Sequence, residues 1–143
     1  MIAVDTNILV NFHRRDYPFH KQALNVITEL AEGSAPWAIP WPCIHEMIAV
    51  ITHSKIFKIP TSIENAFLLV EALMESPSLV MLAESDLHLS TLKLLATKGK
   101  INGPMVHDAR IAAICLDNGV KMLYTADRDF SRFTQLKTRN PLV

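Results

Sequence analysis

The sequence predicts an α/β protein, a three-layer α/β/α sandwich with a mainly parallel central sheet, and two observations carry that expectation. Short apolar runs with no polar residue occur at Ile2–Val4 and Leu79–Leu82, as expected of strands buried on both faces, and Val120–Tyr124 is a third apolar run broken only by Lys121. Between them lie longer stretches with the three-and-four apolar rhythm of amphipathic helices, and strands that alternate with helices pair in parallel through crossovers.

The elements follow in order. The opening strand stops at Asp5, and Thr6 is placed to cap a helix in which Ile8, Leu9 and Phe12 recur at helical spacing until Pro18 breaks it. From Phe19 to Glu32, Ala23, Leu24, Ile27, Leu30 and Ala31 mark an amphipathic helix closed by Gly33. Trp37–Pro40 is a short strand whose flanking prolines suit a place near the end of a sheet better than its centre. Pro42 belongs in the first turn of the next helix, Cys43 to His53, with Ile44, Met47, Ile48 and Ile51 as its buried stripe. Lys55–Pro60 reads as a loop, and Thr61 to Glu64 as a capping box opening a helix to Glu75. Leu79–Leu82 is a strand, and Ser85 starts a helix that runs to Lys98 and stops at Gly99. After a turn-rich loop, Pro104 opens the most apolar helix, closed by Asn118-Gly119, which is expected to be central and buried. Val120–Thr125 is a strand with Ala126–Phe130 at its carboxyl end, and the tail to Val143 offers an edge strand.

A length of 143 residues suits one domain spanning 1–143, with no internal repeat or linker. Half of the residues are apolar and a fifth charged, the balance of a chain that folds. A formal net charge of zero excludes a protein that coats nucleic acid by charge alone. Cys43 and Cys115 sit among apolar neighbours without zinc-site spacing, which fits buried free thiols in a reducing compartment. No apolar run approaches the roughly 20 residues needed to span a bilayer, and the N-terminus lacks a basic segment before an apolar core, so a cytoplasmic location and no membrane contact are expected.

Four acids stand where a surface carboxylate is not expected. Asp5 ends a buried strand, Glu46 and Asp108 lie in the first turns of apolar helices, and Asp127 follows another buried strand. In an open parallel sheet these positions gather at the carboxyl edge, where ligands bind. Singly, each has a bland use: Asp108 and Glu46 complement a helix dipole, Asp127 suits a turn and Asp129 a cap. Jointly, four carboxylates in one cleft repel unless a cation compensates, and an all-oxygen donor set favours Mg²⁺ or Mn²⁺ over zinc. His45 and His107 each precede an acid by one residue, a spacing that points neighbouring helical side chains in different directions, so neither is expected to bind metal.

At this point three segments resemble those of PIN-domain ribonucleases of the VapC toxin type, nearly end to end. They are Ile2-Ala3-Val4-Asp5-Thr6-Asn7-Ile8-Leu9, Val106-His107-Asp108-Ala109-Arg110-Ile111-Ala112-Ala113 and Thr125-Ala126-Asp127-Arg128-Asp129-Phe130. Glu46, in Ile44-His45-Glu46-Met47, falls where that family places its second acid. The resemblance implies a PIN-like fold and a Mg²⁺- or Mn²⁺-dependent endoribonuclease that is the toxin of a pair, with a VapB-like antitoxin as partner and usually a homodimer. It implies Asp5, Glu46, Asp108 and Asp127 as the catalytic and metal-binding acids, with Asp129 an additional ligand and Thr6, Asn7 and Thr125 in support. A metal-activated water would then hydrolyse the RNA phosphodiester in line.

RNA must reach an acidic pocket, so cations belong at its rim; Arg14, Arg15, Lys55, Lys58, Lys98, Lys100, Arg110 and Arg128 are candidates, with Arg110 and Arg128 favoured because they adjoin site acids. Two other readings compete. Haloacid-dehalogenase-like phosphatases also begin with an acid ending the first strand, but need a second acid two residues on, where this chain has Asn7. A catalytically inactive PIN scaffold that binds RNA or a protein partner is the non-enzymatic alternative.

Overall fold

The computed structural model describes residues 1–143. Five parallel strands form one sheet in the order β3-β2-β1-β4-β5, comprising β1 (Ile2–Val4), β2 (Trp37–Pro40), β3 (Leu79–Leu82), β4 (Met122–Tyr124) and β5 (Thr138–Arg139). Six helices supply the crossovers and the outer layers: α1 (Thr6–His13), α2 (His20–Glu32), α3 (Trp41–Ile51), α4 (Ile63–Met74), α5 (His88–Lys98) and α6 (Met105–Asp117). Helix α1 packs on both α2 and α3, α3 packs on α4, and α5 packs on α6, so the expected α/β class and parallel sheet are what the chain adopts.

The innermost strands are the most apolar. Ala3, Val4, Ala38, Ile39 and Leu123 have no exposed surface, and Ala109, Ala112 and Ala113 let α6 lie close against the sheet without a large side chain between them. Trp37 closes one end of this core, with its Nε1 donating to Ser76 Oγ at 3.3 Å. Cys43 and Cys115 are buried free thiols, as their apolar surroundings implied.

Several local expectations are corrected by the structure. The residue capping α1 is Asp5, whose Oδ1 accepts from Thr6 N at 2.8 Å, while Thr6 is already helical. Helix α4 is capped by Ser62, one residue beyond the expected Thr61, because Thr61 Oγ1 is engaged by His13 and Arg14. Strand β2 is an inner strand: Pro36 lies outside it, and Pro40 is its last residue, so neither removes a central ladder bond. The edge strand on that side is β3, with Val80 40 % exposed. Helix α5 begins at His88, not Ser85, since Ser85 Oγ donates to Asp117 Oδ2 and accepts from Leu87 N. Helix α3 begins at Trp41, which moves Glu46 from the first turn to the second and weakens any dipole role.

The cap of α4 gives a direct check. Ser62 Oγ accepts from Asn65 N at 3.2 Å, so Ser62→Ala should lower the unfolding free energy by about 1 kcal/mol, read as a shift in urea midpoint at constant slope. Ser62→Asp should restore it.

Candidate active site

The carboxyl edge of the sheet becomes a site because two adjacent parallel strands end in polar residues at one level. Val4 pairs with Tyr124, so Asp5 and Thr125 emerge side by side. Thr125 Oγ1 donates to Asp5 Oδ2 at 2.7 Å, and Asn7 Nδ2 donates to the same oxygen at 3.1 Å. Asn7 Oδ1 in turn accepts from Ala126 N at 2.9 Å, and Thr125 Oγ1 accepts from Asp127 N at 3.0 Å. The first helical turn is thereby tied to the loop after β4, with the Asp5 carboxylate at the knot.

Asp5 is 4 % exposed. Burial raises its pKa, against donation from Thr125, Thr6 N and the Cys43 thiol, whose Sγ lies 3.5 Å from Oδ1. The same burial, with the nearby Asp5 charge, holds the Cys43 thiol well above its ordinary range, so it serves as a neutral donor.

Asp5, Glu46, Asp108 and Asp127 line a single cleft of about 200 Å³, together with Thr6, Asn7, Val10, Asn11, Tyr17 and Val50. Four chain segments supply the acids, and neither lysine nor arginine lines the cleft. The Asp108 carboxyl accepts no hydrogen bond and is pushed up to about 6 by desolvation first and then by the charges of Asp127, Asp5, Glu46 and Asp129. Partial desolvation and the Asp5 charge raise Glu46 as well. Asp129 is exposed at the mouth, outside the cleft lining, yet Asp108, Asp127 and Asp129 each offer an oxygen within 4.8 Å of the others, an arrangement able to hold a metal ion.

Whether a hard cation suits this site can be tested on the donor set itself. Every polar lining group is oxygen or amide, the acids repel one another, and two lining residues, Thr6 and Asn11, each carry a buried side-chain oxygen that forms no hydrogen bond in the chain. Unsatisfied buried oxygens beside clustered carboxylates match a hydrated divalent ion, whose waters are donors.

Of the remaining expected residues, Arg110 is paired with Glu84, Nη2 to Oε1 at 2.7 Å, and Arg128 is exposed at the start of a short 3₁₀ turn, Arg128–Arg132. His45 and His107 do not line the acidic cleft; they share an adjoining cavity with Glu46 and Arg110. Sequence reasoning missed Cys43, Asn11 and Tyr17. Asn11 had a signal, because it lies one helical turn after Asn7 on the same face and donates to Asn7 O at 2.8 Å. Tyr17 had none.

With this geometry in view, comparison with known proteins is specific. The PIN domain family matches residues 2–136. Ribonuclease VapC43 of Mycobacterium tuberculosis is 34 % identical over 142 residues, spanning 99 % of this chain and 96 % of that protein. Among solved structures, VapBC2 from Rickettsia felis, bound to a DNA fragment from its promoter, superposes with a TM-score of 0.72 at 21 % identity over 98 % of both chains. The sarcin–ricin loop cleaving toxin VapC20 of Mycobacterium tuberculosis gives 0.66 at 17 % identity over 92 % of this chain and 93 % of that one. The order of strands, the acids at their carboxyl edge and a match over nearly the whole length agree, and the chain belongs to the PIN domain family.

Proposed function

We propose that this chain is a metal-dependent endoribonuclease, the toxin of a VapBC-type pair, acting as a single domain over residues 1–143 and at the acidic cleft. The observation that carries the reading is the convergence of Asp5, Glu46, Asp108 and Asp127 on one cleft without a lysine or arginine in its lining. The names of the relatives support the reaction class, and solved VapBC complexes support a VapB-like antitoxin as partner. A homodimer and a cytoplasmic location accompany that reading; no helix is long and apolar enough to cross a membrane.

Asp5, Asp108 and Asp127 would hold Mg²⁺ or Mn²⁺, with Glu46 and Asp129 completing the ligand set. When bound, such an ion supplies Lewis acidity toward water and a phosphodiester oxygen. The protein's own share is positioning. Asn7 and Thr125 fix the rotamer of Asp5, and the Cys43 thiol and Thr6 N secure its other oxygen. Asp108, free of hydrogen bonds, can swing to meet a ligand, while Asp127 is held by its own loop, Oδ1 accepting from Asp129 N at 2.9 Å. The Thr6 side chain beside Glu46 favours that acid's ionised form, against the burial that raises it. Arg128, exposed and next in sequence to Asp127, would meet a phosphate outside the cleft.

The test is cleavage of total cellular RNA by purified protein with Mg²⁺ or Mn²⁺ against the same protein in chelator, with the cut sites mapped. Discrete cuts that require the metal are expected. Release of phosphate from small phosphoesters with RNA left intact would replace this reading with a phosphatase, and Asp5→Asn should eliminate the RNA activity while keeping the circular dichroism spectrum.

A further inference from the structure

The acidic cleft presents an electrostatic problem, because four carboxylates repel the polyanion they are proposed to cut. Cations able to offset this are expected close by and free of other partners. A second cavity, of about 510 Å³, is lined by His13, Arg14, Arg15, Asp16, Lys58 and Ile59. A stack of side chains joins it to the cleft. Tyr17 lines the acidic cleft and its ring lies 5.1 Å from that of buried Phe57; the Arg14 guanidinium sits 3.9 Å above the Phe57 ring and borders the second cavity.

Arg14 serves as a staple. Its Nε and Nη2 donate to the two oxygens of Asp16 at 2.9 and 2.6 Å, and its Nη1 donates to Ile59 O at 2.9 Å and Thr61 Oγ1 at 3.3 Å. Its charge is met by Asp16, and its bonds fasten the segment around Lys58 to the end of α1. Lys58 is held between buried Phe57 and the bonded carbonyl of Ile59. Arg15 and Lys58 are exposed, and neither forms an ion pair; the chain has only two, Arg14–Asp16 and Arg110–Glu84. A folded neutral protein thus keeps two free cations together at one pocket, one aromatic stack away from its acids.

We propose that Arg15 and Lys58 bind a backbone phosphate of single-stranded RNA flanking the scissile bond, with Tyr17 lining the path between the two pockets. This rests on the nuclease reading for its substrate. Bases stack on aromatic rings without regard to sequence while lysine and arginine track the backbone, so the pocket contributes affinity and strand placement more than base choice.

The experiment compares Arg15→Gln/Lys58→Gln with Lys121→Gln/Lys137→Gln. The latter makes the same charge change at exposed positions preceding β4 and β5, at the opposite edge of the sheet. Binding of a fluorescein-labelled single-stranded 12-mer RNA is followed by anisotropy in chelator, across a salt series, so that no cleavage is required. The Arg15/Lys58 variant should bind about tenfold more weakly than the unsubstituted chain and lose about 0.7 from the slope of log affinity against log salt, the amount for one lost single-strand phosphate contact. The control pair should change neither by more than a third as much. With metal present, KM for the same RNA should rise about tenfold, with the loss in KM and not in kcat. Equal effects from the two pairs, or no RNA binding by the unsubstituted chain, overturn the proposal. Binding that follows the expected pattern in a protein that cleaves no RNA with either metal would instead remove the nuclease reading and leave the phosphate pocket standing.

Discussion

Replacing Asp108 by asparagine is expected to reduce metal-dependent RNA cleavage by about a hundredfold or more and, in the same protein, to stabilise the metal-free fold by on the order of 1 kcal/mol at pH 8. The two effects share one cause. Asp108 forms no hydrogen bond that an amide would break, and its carboxyl is pushed up to about 6 by desolvation and by the charges of Asp127, Asp5, Glu46 and Asp129. Ionised at pH 8 without a cation, it destabilises the fold; an isosteric amide does not. The half-exposed position argues for a figure well below the full value of such a shift, since solvent screens part of the repulsion. Asp5→Asn should be equally inactive but not stabilised, because Asp5 accepts from Thr6 N, Asn7, Thr125 and Cys43, and an amide reverses the polarity of one of those oxygens. Cleavage of labelled RNA and thermal melting in chelator read the two effects separately. An Asp108→Asn protein that cleaves normally would remove Asp108 from the catalytic set; one that melts earlier would refute the repulsion argument.

The melting temperature of the metal-free protein should fall as pH rises from 5 to 8, and millimolar Mg²⁺ or Mn²⁺ should remove most of that fall. Asp5, Glu46 and Asp108 have raised pKa values in the fold, so between about pH 4 and the folded values the native state holds protons that the unfolded chain has released. Stability is greatest with these groups protonated and declines as pH climbs through the folded values, about 6 for Asp108. Two influences run the other way. Arg14 holds Asp16 low and Arg110 holds Glu84 low, but both titrate below this window. His13 is lowered, chiefly by burial, so its contribution is lost as pH falls through its folded value, which blunts the profile on its acid side. A bound divalent ion compensates the ionised acids and should raise the melting temperature most at pH 8. A profile flat from pH 5 to 8, or one indifferent to metal, would mean that the four carboxylates do not act as one charged cluster.

How far the site was legible in the sequence follows from the range of each cause. Asp5 and Asp127 could be recognised because a carboxylate directly after a buried strand must emerge at the sheet's edge. Glu46 and Asp108 were visible as acids on helices with few other polar residues. Caps were misplaced by one residue at Thr6 and Thr61, since either of two adjacent side-chain oxygens can cap a helix and contacts outside the helix decide which one does; for Thr61 those contacts are His13 and Arg14. Of the two favoured cations, Arg110 proved to be paired with Glu84 and Arg128 is exposed without an ion pair, whereas the free Arg15 and Lys58 are not distinguished by any local pattern. Cys43 looked like an ordinary buried thiol until its Sγ was seen against Asp5.

The sequence by itself determined the alternation of strands and helices, the parallel sheet and the rank of its acids, because hydrophobic period and strand ends are properties of neighbours along the chain. Tertiary structure alone decided which strand lies at the edge, which hydroxyl caps, which oxygens are left without partners and which cations stay free. Each of these depends on what a group meets across space, and hydrogen bonds and charges are satisfied by proximity, to which distance along the chain is no guide.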